Sequence, residues 1–172
     1  MLENLIQRIN QVKDRSDARH LFLILEGIYE ALRSQFVVSA GLRIGGTTTL
    51  VRSAATDAYA TVRGKLVKLT AATNMPVLVG TVVNATFNVF VFTIDEAGNL
   101  FTQMGTAGGT LAAVKWPPLH RNRALVGFVI INPTGTGNFV GNTTAMADGT
   151  VVPNAVYVSP IGAFNPNAQT GV

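Results

Sequence analysis

The sequence predicts a mainly β protein: an antiparallel β-sandwich, jelly-roll or barrel-like body that carries an N-terminal α-helical arm. Three observations carry this expectation. All nineteen threonines and all seven prolines lie between residues 47 and 172. Apolar residues recur at helical spacing only before Phe36. After it, short runs rich in Val, Thr and Phe alternate with Gly, Asn and Pro clusters, the texture of strands and tight turns. The expected organisation is a helical arm over residues 1–36 and an antiparallel β domain over residues 37–172.

In the arm, Leu2, Leu5, Ile9 and Val12 form one apolar stripe, and Leu21, Leu25, Ile28 and Leu32 form another. Asp14-Arg15-Ser16-Asp17 interrupts the stripe, and Ser16 or Asp17 suits the N-cap of a second helix. The reading is two helices, or one helix with a phase break. A helix from Asp17 to Gln35 would be about 28 Å long. Its stripe can pack on the chain's own body or on sister helices, and the sequence leaves both open.

Strands are expected at Val37–Val38, Leu42–Ile44, Thr49–Arg52, Ala60–Arg63, Lys65–Leu69, Val77–Val83, Phe87–Ile94, Leu100–Met104, Leu111–Val114, Leu125–Ile131 and Val151–Val158. The clearest hairpin joins Phe87–Ile94 to Leu100–Met104 through Asp95-Glu96-Ala97-Gly98-Asn99, a run with turn chemistry. Phe87, Val89, Val91 and Thr93 share one face of the first strand, and Asn88, Phe90, Phe92 and Ile94 share the other. Both faces are mostly apolar, so this strand should be covered on both sides. No helical periodicity follows Phe36, so the crossover helices of a parallel sheet are missing.

Hydrophobic residues make up 48% of the chain and charged residues 13%, which excludes a polyampholyte disordered chain. A chain of this length buries roughly 70% of its unfolded surface without a staple. The absence of cysteine removes disulfides, thiolate chemistry and Cys-based zinc sites. The pI near 9.9 reflects thirteen Lys/Arg against nine Asp/Glu, with no dense basic tract. Glu3 and Asn4 interrupt the start, so no secretory signal is expected. The apolar run Ala124–Ile131 falls far short of the roughly 20 residues of a membrane helix. A soluble protein is expected.

No catalytic constellation emerges. The only histidines are His20, on the arm, and His120, inside Trp116-Pro117-Pro118-Leu119-His120-Arg121-Asn122-Arg123. The acids after Phe36 are Asp57, Asp95, Glu96 and Asp148, too few and too scattered for a metal site. Asp57 and Asp148 are the one pair that could converge for glycoside cleavage. Gly64-Lys65 lacks the upstream glycine of a phosphate loop, and Gly135-Thr136-Gly137-Asn138-Phe139-Val140-Gly141 has one residue too many for a dinucleotide fingerprint. The glycosylation-type triplets at Asn84 and Asn142 are read as unmodified. Arg43, Arg52, Arg63, Lys65, Lys68, Lys115, Arg121 and Arg123 could form a basic stripe, but the phenylalanines fit a core and not a stacking groove. The expectation is therefore no enzyme, no cofactor, no metal and no specific nucleic-acid partner.

The segment from Ala124 through Asn132-Pro133-Thr134-Gly135-Thr136-Gly137-Asn138-Phe139-Val140-Gly141-Asn142-Thr143-Thr144 to Ala145, continuing into Gly149-Thr150-Val151-Val152-Pro153-Asn154-Ala155-Val156-Tyr157-Val158, resembles the C-terminal strands of small structural proteins of tailed bacteriophages. The likeness covers about a third of the chain. It implies a virion component, an accessory head protein that cements or decorates the capsid as a homotrimer, with the major capsid protein as partner and no catalytic residue. The alternative is a tail, baseplate or fibre component binding a tail protein or a host glycan, for which Trp116, Tyr59 and Tyr157 are candidate rings. Leu21, Leu25, Ile28 and Leu32 are the candidate oligomer contacts. Trp116, Arg121 and Arg123 are the candidate capsid contacts, together with Gly45-Gly46-Thr47 and the tail from Pro160 to Val172.

Overall fold

The computed structural model describes residues 19–23, 25, 33–162 and 164, and it is mainly β. The strands in chain order are β1 Gln35–Val38, β2 Arg43–Ile44, β3 Val51–Arg52, β4 Ala58–Val62, β5 Lys65–Leu69, β6 Thr81–Val82, β7 Asn88–Asp95, β8 Leu100–Met104, β9 Arg123–Ile131, β10 Phe139–Val140 and β11 Val156–Val158. They form a four-stranded sheet in the order β11-β9-β7-β8, a three-stranded sheet β1-β4-β5, and two small sheets, β10-β6 and β2-β3. Every strand pair is antiparallel. The sheets are open and do not close into a barrel.

β7 is the keel of the molecule. Its alternating sequence sends Phe90, Phe92 and Ile94 into a main core with Phe36, Ala60, Val62 and Leu69 of the three-stranded sheet. Val89 and Val91 point the other way, into a second cluster with Val114 and Phe128. Coverage on both sides follows the sequence expectation. Phe36, Phe90, Phe92 and Phe139 are among the largest fully buried side chains, and burying one such ring contributes up to about 3 kcal/mol. Phe36 is paired in β1, so the β body begins at Gln35.

β9 changes phase partway along. Phe92 pairs with Gly127 but Thr93 pairs with Leu125, so Val126 is an extra, bulged residue. Before the bulge Ala124 and Val126 face the main core; after it Val129 and Ile131 do, while Phe128 and Ile130 face the second cluster. Gly127 sits at the switch with φ 156°, and a Cβ there would lie 2.4 Å from the Val158 carbonyl oxygen and 2.6 Å from Leu42 Cδ1. Only glycine lets β11 close on β9 at this point.

The turn between β4 and β5 consists of Arg63 and Gly64 alone, with φ 51° and 82°. Positive φ at both central residues is what the favoured two-residue hairpin turn demands. The β7–β8 turn behaves as its sequence indicates. Asp95 Oδ1 accepts hydrogen bonds from the Ala97 and Asn99 amides, both at 2.9 Å.

Three expected strands are corrected. Leu111–Ala113 is a short 3-10 turn, its bonds running from Ala113 N to Thr110 O and from Val114 N to Leu111 O. Between Val77 and Val83 only Thr81–Val82 pairs, because the stretch after Pro76 meets β8 through a Thr102 hydroxyl donated to the Pro76 carbonyl and not through a backbone ladder. Val151 and Val152 turn back to bond Asp148, so β11 starts only at Val156. β10, hidden in the Gly- and Asn-rich stretch, is a strand the sequence did not announce.

Candidate partner-binding surfaces

The arm joins the body at the β4–β5 turn. Arg33 Nη2 donates to the Arg63 carbonyl at 2.9 Å, the Gly64 amide donates to the Arg33 carbonyl at 3.1 Å, and the Arg63 amide donates to Ser34 Oγ at 3.1 Å. Arg33 and Ser34 are therefore tied to the tip of the β4–β5 hairpin. Residues 19–23 and 25 are helical, and Leu21, Phe22 and Leu23 are 37%, 66% and 56% exposed while Leu25 is half-buried. Three adjacent large apolar residues on one helix thus lack full cover from their own chain. Ile28 and Leu32, the other two candidate oligomer contacts, lie outside the described residues.

Beside the arm root, the outer face of the three-stranded sheet is also open. Tyr59 and Thr61 alternate outward from the buried Ala58, Ala60 and Val62, and their partners on β5 and β1 include Leu66 and Val38. Leu66 is 65% and Val38 44% exposed. Lys68 Nζ binds Asp57 Oδ2 at 2.6 Å on this face. That pair, with the Ala71 amide also donated to Asp57, holds the Asp57 carboxyl below its usual range and raises Lys68.

Two residues of the stretch from Lys115 to Arg123 have ring partners within the chain. Trp116 packs edge-on against Phe128 at 4.7 Å and against Phe164 at 5.7 Å between ring centroids. It closes the second cluster, together with Leu119. Arg123 sets its guanidinium carbon 3.5 Å from the centroid of the Phe101 ring, a cation–π contact within the chain. Of the three candidate capsid contacts, only Arg121 presents an exposed side chain. The structure does not bring Trp116, Arg121 and Arg123 into one outward patch; proline-rich loop sequence concealed that Trp116 has distant apolar partners.

No family model, curated protein or solved structure matches this chain. Among the described residues, no group of three or more His, Asp or Glu side chains is placed to hold a metal ion. His20 and His120 are both exposed. Asp57 is engaged by Lys68 and the Ala71 amide, and Asp148 by the Thr150 amide and hydroxyl. Asp57 thus links distant backbone, while Asp148 serves its own turn. Among the described residues, no helix is long and apolar enough to cross a membrane.

A further apolar surface lies along the stretch from Val77 to Val83. Val77, Val79, Thr81 and Val83 alternate outward from buried Leu78 and Val82, and Val140 pairs beside Thr81 on the same face. Val79 and Val83 are 71% and 55% exposed. The large exposed side chains of this stretch are valines.

Proposed function

We propose that this chain is a non-enzymatic virion structural protein of a tailed bacteriophage, which binds and stabilises the capsid shell as a homotrimer. In this reading the β body is a two-sheet sandwich and the helical arm mediates assembly. Two observations support it: Arg33 and Ser34 are tied to a hairpin tip by three hydrogen bonds, and the helical residues Leu21, Phe22 and Leu23 leave large apolar side chains exposed. Contiguous exposed apolar surface marks association sites on soluble proteins. A symmetric trimer meets several capsid subunits at once, so individually weak contacts gain from effective concentration.

Two measurements test the reading. Sedimentation of the purified chain at micromolar concentration should return a trimer mass. Shells carrying the protein should release DNA at a higher temperature than shells without it, by mass action on the assembled state. Equal release temperatures, or location of the protein on tails, would replace the capsid assignment with the tail reading.

A further inference from the structure

The pairing of β2 with β3 places two arginines face to face. Arg43 is directly opposite Arg52, and Arg52 is directly opposite Asn74 on the other edge of β3. Directly opposed residues share a sheet face, so guanidinium, guanidinium and amide stand in one row. The other face carries Ile44 and the fully buried Val51. The bonds from Met75 N to Val51 O and from Ser53 N to Thr73 O flank the Arg52–Asn74 pair, which makes it the closer kind of antiparallel pair, with Cα atoms about 4.5 Å apart. A Cβ on Gly46 would meet Arg52 Nη1 at 3.9 Å, so the end of this side chain lies beside the glycine turn joining the two strands.

Like charges directly opposite each other destabilise a sheet, and the ion pair among the described residues, Lys68–Asp57, involves neither arginine. Asp57 is bonded to Lys68. Asp95 is bonded within its own turn and feels Arg123, and Asp148 is bonded to Thr150. Arg52 Nε is buried and has no hydrogen-bond partner. A buried donor without a partner is costly, and a guanidinium fork is the group best matched to a planar carboxylate.

We propose that Arg43, Arg52 and Asn74 form a carboxylate-binding row that receives acidic side chains of a partner protein. The row is two cations wide and backed by aliphatic core. A single-stranded nucleic acid instead needs a cationic track interleaved with stacking rings, whereas Phe36, Phe90, Phe92 and Phe139 are buried. This assignment stands whether or not the partner is a capsid subunit.

The test is a titration of the full chain followed through its arginine Nε–Hε resonances, with hexaglutamate peptide and a short single-stranded oligonucleotide as probes. Hexaglutamate should move the Arg43 and Arg52 signals ahead of Arg121. The R43Q/R52Q variant should bind it at least about tenfold more weakly, the loss expected when a charge-assisted hydrogen-bonded pair is removed. R43K/R52K, which keeps the charges but loses the forks, should fall between. Uniform small shifts at all arginines, or unchanged affinity in R43Q/R52Q, would overturn the proposal. So would an oligonucleotide that moves the same two signals at lower concentration than the peptide. If R43Q/R52Q does not fold, the order of shifts in the wild-type chain decides alone.

Discussion

Trp116 meets Phe128 edge-on, its ring centroid 4.7 Å away at an interplanar angle of 82°. Because this is the chain's only tryptophan, its fluorescence reports directly on the second cluster. Trp116→Ala should cost about 2–4 kcal/mol, somewhat less than a fully buried ring because the side chain is half-buried. Urea unfolding curves of the two forms check this. An unchanged midpoint would return Trp116 to the role of a surface contact.

The backbone at two positive-φ positions, Arg63 and Gly127, sets a second expectation. Arg63→Asn should raise stability by up to about 1 kcal/mol, since asparagine tolerates positive φ better and the bonds to Arg33 and Ser34 use only the Arg63 backbone. Gly127→Ala should lower it by more than about 2 kcal/mol, because the new methyl would meet the Val158 carbonyl inside the sheet. Thermal melts of both variants against the parent give the signs.

Leu21→Arg separates folding from assembly. The side chain is already partly in water within a single chain, so the stability of the body should change by less than about 0.5 kcal/mol. If the arm is buried between copies, the same change forces a charge into an apolar contact and should lower the sedimenting mass. A trimer that persists in Leu21→Arg with an intact body would move the contact elsewhere.

Stability should fall at both ends of the pH scale. Asp57 is held low by Lys68 and the Ala71 amide, Asp95 chiefly by the Asn99 side chain, and Asp148 chiefly by the Thr150 hydroxyl. Depressed carboxylates contribute stability that is present above about pH 4, the unfolded range, and lost as pH falls through the folded values. Burial pushes the Tyr157 hydroxyl up to about 12. A raised value means that its contribution is complete below about pH 10 and lost as pH climbs through the folded value. Tyr157→Phe should abolish that alkaline loss of stability, and it should be neutral or stabilising at pH 7, since the hydroxyl is buried without a hydrogen-bond partner. Denaturant midpoints measured across pH for the two chains provide the comparison.

β7 and the Asp95–Asn99 turn were legible because alternation and turn chemistry agree there. The β9 phase switch was not. Ala124-Leu125-Val126-Gly127-Phe128-Val129-Ile130-Ile131 is apolar on both faces, so its side chains carry no record of which face each takes, and the bulge shows only in its register against β7. The packing of Trp116 was hidden for a related reason: its partners Phe128 and Phe164 lie outside its own loop. The Arg43–Arg52 row was visible only as two entries in a scattered basic count, since a sequence lists charges but not which ones a strand pair sets opposite. The arm's periodicity was plain, while the hydrogen bonds that root it depend on where a hairpin 30 residues later places its tip.

The bond from Ser39 Oγ to the Ser159 carbonyl joins residues 120 apart in sequence, and it gives the molecule a clock. At synthesis rates of roughly 5–20 residues per second, about 6–24 s separate the emergence of its two ends. Throughout that interval Ser39 waits for the carbonyl it will bond, so the closure this contact makes belongs to the last stage of synthesis.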